Sequence, residues 1–353
     1  MMNLYVNFKS RPLQITLGVI VLLLLLVFTF GVEQYYRFHV SNLHSRDGKE
    51  HAYYIYPGTS VDSVVNMLRA DYDISGETDL KWHMRFIVIT KPEPGHYIFP
   101  AQMGDKMFIN RLKFGEQTPI KLKWTNAVRT RENLAGRLAA QLLMDSTEII
   151  ERLSDDKYMA KYGFNAETSR CMFIPNTYEV YWTISPDALF KRMEREYNTF
   201  WNDERRSKAK AQGLTPVEVA ILASIVEGET YNTADMPIIA SLYINRLRKG
   251  MLLQACPTVI YAVGDFSIRR VLKRHLTIDS PYNTYINRGL PPGPLRCALP
   301  RTIDYVLNAP KTNYLYMCAS PALDGTHIFS ANYNVHSNAA NAYHKMMNEK
   351  KIK

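Results

Sequence analysis

The chain has 353 residues, and 43 Lys and Arg against 33 Asp and Glu give it a formal net charge of +10. Hydrophobic residues make up 46% and charged residues 22%, which excludes a disordered chain, a collagen-like repeat and a membrane protein with many spans. The positive charge suits an anionic partner such as nucleic acid, lipid headgroups or an acidic cell-wall polymer, without choosing among them.

An apolar segment lies close to the N-terminus. No charged residue occurs between Arg11 and Glu33, which leaves a stretch long enough to cross a bilayer as a helix. A cleaved signal peptide is the alternative, but its apolar region is shorter and ends in small residues. Here the bulky residues EQYYRF (33–38) follow, and they are typical of a membrane interface. We predict a short cytoplasmic tail (1–12) and an uncleaved transmembrane anchor (13–32).

The orientation of this anchor does not follow from its flanking charges, because basic residues lie on both sides. A domain of roughly 320 residues is translocated largely regardless of loop charge. We therefore expect a single-pass membrane protein whose large C-terminal part faces outward.

A polar linker (33–50) and a small module (51–116) are predicted next. The module begins with an alternating strand, and Pro57-Gly58 then makes a turn before a helix that Thr59 or Ser60 can cap. The apolar face of this helix is formed by Val61, Val64, Val65 and Leu68. A second turn-and-helix unit follows and closes near Gly115. Such strand–helix units are typical of a compact α/β module.

The remaining chain (117–353) is predicted to be one larger domain. A strand at Ile120–Trp124 precedes a mostly helical stretch from residue 145 to about 310. Two alternating segments, Tyr314–Ala319 and Thr326–Ala331, flank Asp324-Gly325 and predict a β-hairpin. A basic helix is expected from Asn338.

One predicted helix carries the main candidate for catalysis. It begins at Thr215-Pro216, and it has large apolar residues on one side and small ones on the other, so it is expected to be buried all round. Glu227 lies on the side with small neighbours, near the helix C-terminus. Burial and the helix dipole both raise the pKa of such a carboxyl, as a general acid requires. The alternative is an exposed Glu in the last turn.

Glu229 is the reserve candidate, placed just past the expected helix end. Two residues of separation put Glu227 and Glu229 about 200° apart, so they are not expected to act as a pair while the helix continues. Polar and aromatic residues between prolines surround this helix in the sequence, and they are typical of a sugar-binding cleft, although each segment alone also suits a surface loop. The segments are 173–179, 244–254, 256–264, 280–285 and 289–294.

Several long blocks resemble, in order, those of the YceG-like (MltG) endolytic murein transglycosylases. The blocks are LASIVEGET (222–230), INRLRKGMLLQACPTVIYAVG (244–264), SPYNTYINRGLPPGP (280–294) and YLYMCAS with GTHIFS (314–330). PGTS (57–60) and GHYIFPAQMGDK (95–106) resemble the LysM-like module of that family, and FIPNTYEV (173–180) resembles the block before its catalytic helix. The resemblance runs from about Tyr53 to the C-terminus.

This resemblance implies cleavage of the MurNAc–GlcNAc β-1,4 bond of peptidoglycan without water, leaving 1,6-anhydro-MurNAc ends and terminating nascent glycan strands. The catalytic glutamate of the family corresponds to Glu227. The implied fold is α+β: one transmembrane helix, a LysM-like α/β module and a mainly helical domain with a C-terminal hairpin. Glycan strands, the membrane and peptidoglycan synthases (penicillin-binding proteins) are the implied partners.

One carboxyl is enough for this reaction, whereas ordinary glycosidases need two. The attacking group is the C6 hydroxyl of the substrate, so the same residue can donate a proton and then accept one. The candidate substrate-binding residues are Asn176, Tyr178, Glu229, Asn245, Gln254, Thr258, Tyr261, Tyr282, Asn283, Thr284 and Tyr285. Cys256 and Asn176 stand where many members of the family have Asp, which leaves the role of those two side chains open.

Two other functions stay open: a non-catalytic peptidoglycan-binding scaffold and a hydrolytic muramidase. Nucleic-acid binding is not supported, because the charges are dispersed and no known module occurs. No cofactor or metal is expected, because GxGxxG, P-loop, HExxH and EF-hand motifs are missing from the sequence. Cysteines without CxxC spacing are interpreted as small buried residues, with any pairing left open, and scattered histidines are interpreted as structural. They are Cys171, Cys256, Cys297 and Cys318, and histidines including His275, His327 and His336.

Overall fold

The computed structural model describes residues 11–86, 91–268 and 270–349, and these residues form two compact units. Unit 1 takes the chain up to Ile120 together with the short segment Val180–Thr183. Unit 2 takes Lys121–Glu179 and the chain from Ile184 onward. The mixture of helices and sheets confirms the predicted α+β class.

Unit 1 combines helices with short antiparallel strands. The helices are α1 (Arg11–His39), α2 (Val61–Asp71), α3 (Glu77–Phe86) and α4 (Asp105–Phe114). The strands are β1 (Ser41–Ser45), β2 (His51–Ile55), β3 (Tyr72–Ile74), β4 (Gly95–Phe99) and β5 (Gln102–Gly104). Strand β1 is the middle of one sheet between β3 and β5, and β2 pairs with β4 in another, from His51 opposite Phe99 to Ile55 opposite Gly95.

Helix α2 shows how the sequence builds the core of unit 1. Its N-cap, Ser60, accepts a hydrogen bond from the backbone N–H of Ser63, and the four apolar residues predicted for its inner face are buried. Full burial of each such side chain stabilises the fold by about 1.5–3 kcal/mol. Tyr97, Phe99 and Phe108 pack into the same cluster. The apolar spacing in the sequence therefore predicted this face correctly.

The segment predicted to be a polar linker is structured. Helix α1 continues to His39, and Ser41–Ser45 then forms the middle strand of the three-stranded sheet. Leu43 is fully buried and fixes this otherwise polar strand to the core. A single apolar side chain gives no periodic signal, so the composition of the segment concealed the strand.

Helix α1 contains the predicted anchor. Within the described residues, Gln14–His39 is long and apolar enough to span a membrane, with a mean hydropathy of 2.9. Its apolar side chains from Ile15 to Val32 are exposed, whereas Phe38 near its C-terminal end packs on the core of unit 1. An isolated helix with this composition is stable in a bilayer, where all of its backbone hydrogen bonds are satisfied internally.

Unit 2 is mainly helical. Its helices are α5 (Arg131–Ala139), α6 (Ser146–Ser154), α7 (Asp156–Ala160), α8 (Pro186–Phe200), α9 (Asp203–Gln212), α10 (Pro216–Glu229), α11 (Met236–Arg248), α12 (Cys256–Val263), α13 (Pro300–Leu307) and α14 (Tyr333–Glu349), with 3₁₀ turns at Ser169–Met172 and Lys273–His275. Strand β6 (Ile120–Lys123) pairs with β7 (Thr177–Val180). Strands β8 (Tyr316–Ala319) and β9 (His327–Ser330) form the predicted C-terminal hairpin. Helix α14 begins five residues before the predicted start at Asn338.

Helix α10 is the central element of unit 2. A capping box between Thr215 and Glu218 starts it, and every residue from Val219 to Glu227 is buried, as the sequence predicted. It packs against α11, α12 and α13. Gly228 allows the approach of α12, because a Cβ atom there would lie 2.6 Å from Cβ of Pro257. The helix extends through Glu229, which the sequence had placed just past its end.

All four cysteines are free thiols. Cys171 and Cys297 are buried, as predicted, and burial raises the pKa of each thiol to about 12, so both are chemically inert. Cys256 is exposed and Cys318 is partly exposed, so the prediction of four small buried residues was wrong for these two.

Candidate active site

The last turn of α10 directs two carboxyls into different cavities. Glu227 lines a cavity of about 210 Å³ together with Arg129, Tyr261 and Arg296. Glu229 lines two others, of about 330 Å³ and 620 Å³. Both residues lie on the same continuous helix, so the angular separation predicted from the sequence applies to them and explains why they face different cavities.

Glu227 accepts hydrogen bonds from fixed donors. It is 5% exposed, its Oε1 accepts from the backbone N–H of Leu299 at 2.8 Å, and its Oε2 accepts from the Asn126 amide at 3.3 Å. Burial lowers the pKa of the nearby Arg296, and the positive charge of Arg129 lowers it further. The negative charge of Glu227 acts in the opposite direction and raises this pKa in part. Glu227 thus joins α10 to the loop before α13 and sits in a cationic neighbourhood.

Glu229 has the environment of a general acid. Burial raises its pKa to about 7, although the Tyr243 hydroxyl and the charge of Arg246 both lower it. Tyr243 donates to Oε1 of Glu229 at 2.5 Å, which leaves Oε2 available for a ligand. A carboxyl with this pKa is protonated in a large fraction of molecules near neutral pH, so it can donate a proton to a bound ligand.

Arg246 is the buried charge behind Glu229. Its Nε donates to the Leu315 carbonyl and its Nη1 to the Leu253 carbonyl, each at 2.7 Å, and its guanidinium lies over the ring of Tyr316. These contacts fix the cation in place. They join α11 to the hairpin and to the loop before α12, so the electrostatic environment of Glu229 depends on several elements at once.

The cavities beside Glu229 are lined by polar and aromatic groups. Gln254, Cys256 and Tyr285 line the smaller one, and Tyr231 and Asn232 line the larger. Both cavities share Glu229, Ala319 and His327. Amide, hydroxyl and aromatic groups in this arrangement suit the hydroxyls and ring faces of a sugar.

The sequence-predicted residues divide into two groups. Glu229, Gln254 and Tyr285 line the 330 Å³ cavity, and Glu227 and Tyr261 line the separate one of about 210 Å³. Gln254 has a φ of 52°, which is uncommon outside glycine, and its N–H donates to the Thr284 carbonyl. Backbone strain of this kind clusters at functional sites, where the surrounding structure maintains it.

The other candidates use their polar groups inside the protein. Thr258 and Thr284 are buried and bond to each other, the amide of Asn283 donates to the carbonyls of Leu276 and Ile278, and the Tyr178 hydroxyl donates to the Ile174 carbonyl. The Tyr282 hydroxyl donates to Glu167, and Asn245 donates to the carbonyls of Thr312 and Tyr314. Asn176 is exposed and accepts from Thr177 N–H. These bonds shape the loops, and substrate contacts by these residues stay a prediction.

His327 and Asp235 are site residues that the sequence reasoning missed. Asp235 Oδ2 accepts from both the backbone N–H and the Nδ1 of His327, each at 2.9 Å. His327 had been interpreted as structural, because a single histidine in a hairpin has no distinguishing pattern. Glu229 and His327 line the same two cavities, so the fold brings a carboxyl and an imidazole to one polar cleft.

Comparison with known proteins gives the family. The YceG-like family matches residues 53–342, and the chain belongs to that family. An endolytic murein transglycosylase of Bacillus subtilis is 28% identical over 312 residues, which cover 83% of this chain and 84% of the relative. One of Streptococcus pneumoniae is 33% identical over 137 residues, which cover 38% of this chain and 24% of the relative.

A solved structure shares the fold. The crystal structure of a yceG-like protein from Listeria monocytogenes matches with a TM-score of 0.54 and 24% identity, covering 82% of this chain and 98% of that one. The family match therefore confirms the predicted family, and the solved structure shows that the fold is shared.

Proposed function

We propose that this chain cleaves the MurNAc–GlcNAc β-1,4 bond within peptidoglycan strands without water, leaving 1,6-anhydro-MurNAc ends. Its family and its relatives make it a lytic transglycosylase. The observation that carries the proposed mechanism is the single carboxyl of Glu229, whose pKa burial raises to about 7 beside a polar cleft.

The reaction begins with proton donation. The carboxylic acid of Glu229 protonates the glycosidic oxygen, and the bond from that oxygen to C1 of MurNAc breaks. The C6 hydroxyl of the same MurNAc then attacks C1 and closes the anhydro ring. Because this nucleophile is part of the substrate, proximity supplies a large share of the rate enhancement. A second carboxyl to activate water is unnecessary.

The choice of Glu229 as the acid differs from the sequence-based prediction of Glu227. We propose that Glu229 is the acid because its free oxygen meets the larger cavities, whereas both oxygens of Glu227 accept bonds from protein donors. In this proposal Glu227 maintains the connection between α10 and the loop before α13. Glu227 remains the competing assignment.

Matched variants distinguish the two carboxyls. Glu229→Gln and Glu227→Gln each replace an oxygen by an amide of the same size, and mass analysis of fragments from purified peptidoglycan counts anhydro ends. We expect Glu229→Gln to lose about 10²–10⁴-fold in rate, as removal of a general acid does. Glu227→Gln is expected to keep most of the activity. The opposite result, with both variants folded, would assign the acid to Glu227.

Membrane anchoring and wall binding complete the proposal. Helix α1 anchors the chain in the inner membrane, with its units on the periplasmic side. The order β2–α2–β3–α3–β4, with β2 and β4 paired antiparallel and the short β3 pairing with β1 instead, supports a LysM-like module for unit 1. Cleavage next to the membrane would terminate nascent strands beside a peptidoglycan synthase.

The alternative functions give different products. A hydrolytic muramidase would release reducing MurNAc ends, and a non-catalytic scaffold would bind purified sacculi without making any new ends. The wild-type protein is expected to bind sacculi and to release anhydro ends.

A further inference from the structure

Helix α3 of unit 1 exposes a pair of aromatic rings. Trp82 is 43% exposed and Phe86 is 71% exposed, and their rings stack with centroids 4.9 Å apart. The residues are four apart, so both side chains lie on one face of the helix. On its inner side the same helix buries Leu80, His83 and Met84. The aromatic pair is therefore not part of the core of unit 1.

This aromatic pair is continuous with the anchor. Arg37 of α1 donates to Asp79 of α3 at 2.6 Å, which joins the polar end of α1 to the first turn of α3. From there α3 approaches the apolar part of α1, where the ring of Phe30 meets the edge of Trp82 with centroids 6.5 Å apart. Phe30 belongs to the segment that is proposed to lie in the bilayer, so Trp82 lies at the depth of that segment.

We propose that Trp82 and Phe86 insert into the membrane leaflet next to unit 1, so that unit 1 lies against the bilayer instead of hanging from a free stalk. The inference rests on the proposed anchoring of α1. Lipid is the occupant because the pair continues an apolar surface that already belongs to the anchor. Tryptophan is also the side chain that favours the headgroup boundary. The cationic side chain of Arg85, which is on the same helix as Trp82 and Phe86, is also exposed.

Depth-dependent quenching tests this contact on the full chain in liposomes. Lipids brominated near the headgroup end of the acyl chain quench a tryptophan only when it is inserted. Trp124, Trp182 and Trp201 are buried, so Trp82 is the tryptophan in reach of lipid. We expect clear quenching of the wild type, loss of most of it in Trp82→Phe, and full retention in the matched control Trp182→Phe.

Flotation of the liposomes measures anchoring separately. Protein that floats with lipid while Trp82 stays unquenched would overturn the insertion and leave the anchor standing. Protein that does not float would overturn both. A concentration-dependent blue shift of Trp82 without quenching would show a second copy as the occupant, which also contradicts the proposal.

A second inference comes from an independent observation in unit 2. Asp235 accepts the Nδ1 proton of His327, which leaves Nε2 as the ring nitrogen with a lone pair. The backbone N–H of His327 bonds to the same carboxylate oxygen, so the imidazole is held from two points. His327 and Glu229 line both of the larger cavities. Two acid–base groups therefore meet one cleft.

The geometry points to His327 as the base that takes the C6–OH proton, with Asp235 as its positioning residue. This inference rests on the proposed function. Glu229 gives its proton to the leaving oxygen, the C1–O bond breaks, and the C6 oxygen bonds to C1 while its proton passes to Nε2. The imidazolium, stabilised by Asp235, then returns the proton to the Glu229 carboxylate. Both groups are restored and no water is consumed.

The product ratio tests this role better than the rate alone. In His327→Gln, Glu229 still breaks the bond, but the C6 hydroxyl is no longer activated, so water captures part of the sugar cation. We expect the rate of anhydro-end formation to fall by about 10²-fold and the share of reducing ends to rise. Asp235→Asn should show the same change to a smaller extent. His51→Gln is the matched control, because His51 of unit 1 also lies 2.9 Å from an aspartate, Asp47, but lines neither cavity beside Glu229.

The outcomes separate this inference from the function on which it rests. His327→Gln with the wild-type rate and only anhydro ends would overturn the dyad alone. If anhydro ends and reducing ends fall by the same factor, and added imidazole does not rescue His327→Ala, then His327 has a structural role. This result would also overturn the dyad. If the wild type makes no anhydro ends, the proposed function fails and this inference with it.

Discussion

Each unit contains a His–Asp pair, and the two pairs have different surroundings. In unit 1, His83 Nδ1 lies 2.7 Å from Asp105 Oδ2, and both side chains are enclosed in the core. In unit 2, His327 lies 2.9 Å from Asp235 at the wall of two cavities that also contain Glu229. The same two residue types form both pairs. Access to a ligand, and not the pair itself, therefore separates a structural contact from a candidate catalytic one.

The largest expected effect on stability comes from opening the enclosed pair. Burial raises the pKa of Asp105, and in the described residues His83 Nε2 already has no hydrogen-bond partner. Asp105→Ala leaves the whole imidazole unpaired in the core, which costs about 3 kcal/mol. We expect denaturant unfolding of unit 1 at a clearly lower midpoint, while the protein that remains folded cleaves peptidoglycan at the wild-type rate.

Asp235→Asn is the comparison for that variant. It should change the products of cleavage with a smaller loss of stability, because the amide oxygen can still accept from the His327 ring. Equal losses of stability and unchanged products in both variants would remove the distinction between the pairs.

The sequence predicted the buried helix and the cleft better than it predicted the chemistry within them. The apolar pattern around Ile221 and Ile225 correctly predicted a helix that is buried all round. It did not reveal which carboxyl meets the cavities, because that depends on Tyr243 from α11 and on a hairpin nearly 100 residues later in the chain. The polar strand at Leu43 was missed for a related reason, since its burial comes from neighbours distant in sequence.

In unit 2, replacing the buried carboxyl of Glu229 is expected to stabilise the protein, whereas opening the buried pair of unit 1 destabilises it. The folded-state pKa of about 7 lies above the ordinary value of 4.5, so the folded protein keeps a proton that the unfolded chain releases. The free energy of unfolding therefore falls as the pH rises through this window, and above it the buried anion costs about 3 kcal/mol. Glu229→Gln should raise the melting temperature relative to wild type at pH 8 and not at pH 4. Equal shifts at both pH values would contradict the raised pKa.

Gly228 tests whether the site depends on the close approach of two helices. An added methyl group would lie 2.6 Å from the Pro257 ring, so α10 and α12 would have to separate. We expect Gly228→Ala to lose about 1–3 kcal/mol in the free energy of unfolding, as overpacking does. Gly136 lies in the exposed part of α5 with no atom within 4 Å of such a methyl group, so Gly136→Ala is the matched control. That control should be neutral or slightly stabilising.

The smallest expected effect concerns the hydrogen bond that tunes Glu229. Tyr243 donates to Oε1 and lowers the pKa of Glu229 against the larger effect of burial, so Tyr243→Phe should raise this pKa further. A lost hydrogen bond of about 1 kcal/mol corresponds to somewhat less than one pH unit. The rate of cleavage depends on the protonated acid and falls as the pH rises through the pKa of Glu229, so the alkaline limb should move upward in the variant. In unit 1, the Tyr97 hydroxyl donates to a backbone carbonyl, and Tyr97→Phe should leave the pH profile unchanged. A profile that stays fixed in Tyr243→Phe would mean that cleavage is not governed by the protonation of Glu229.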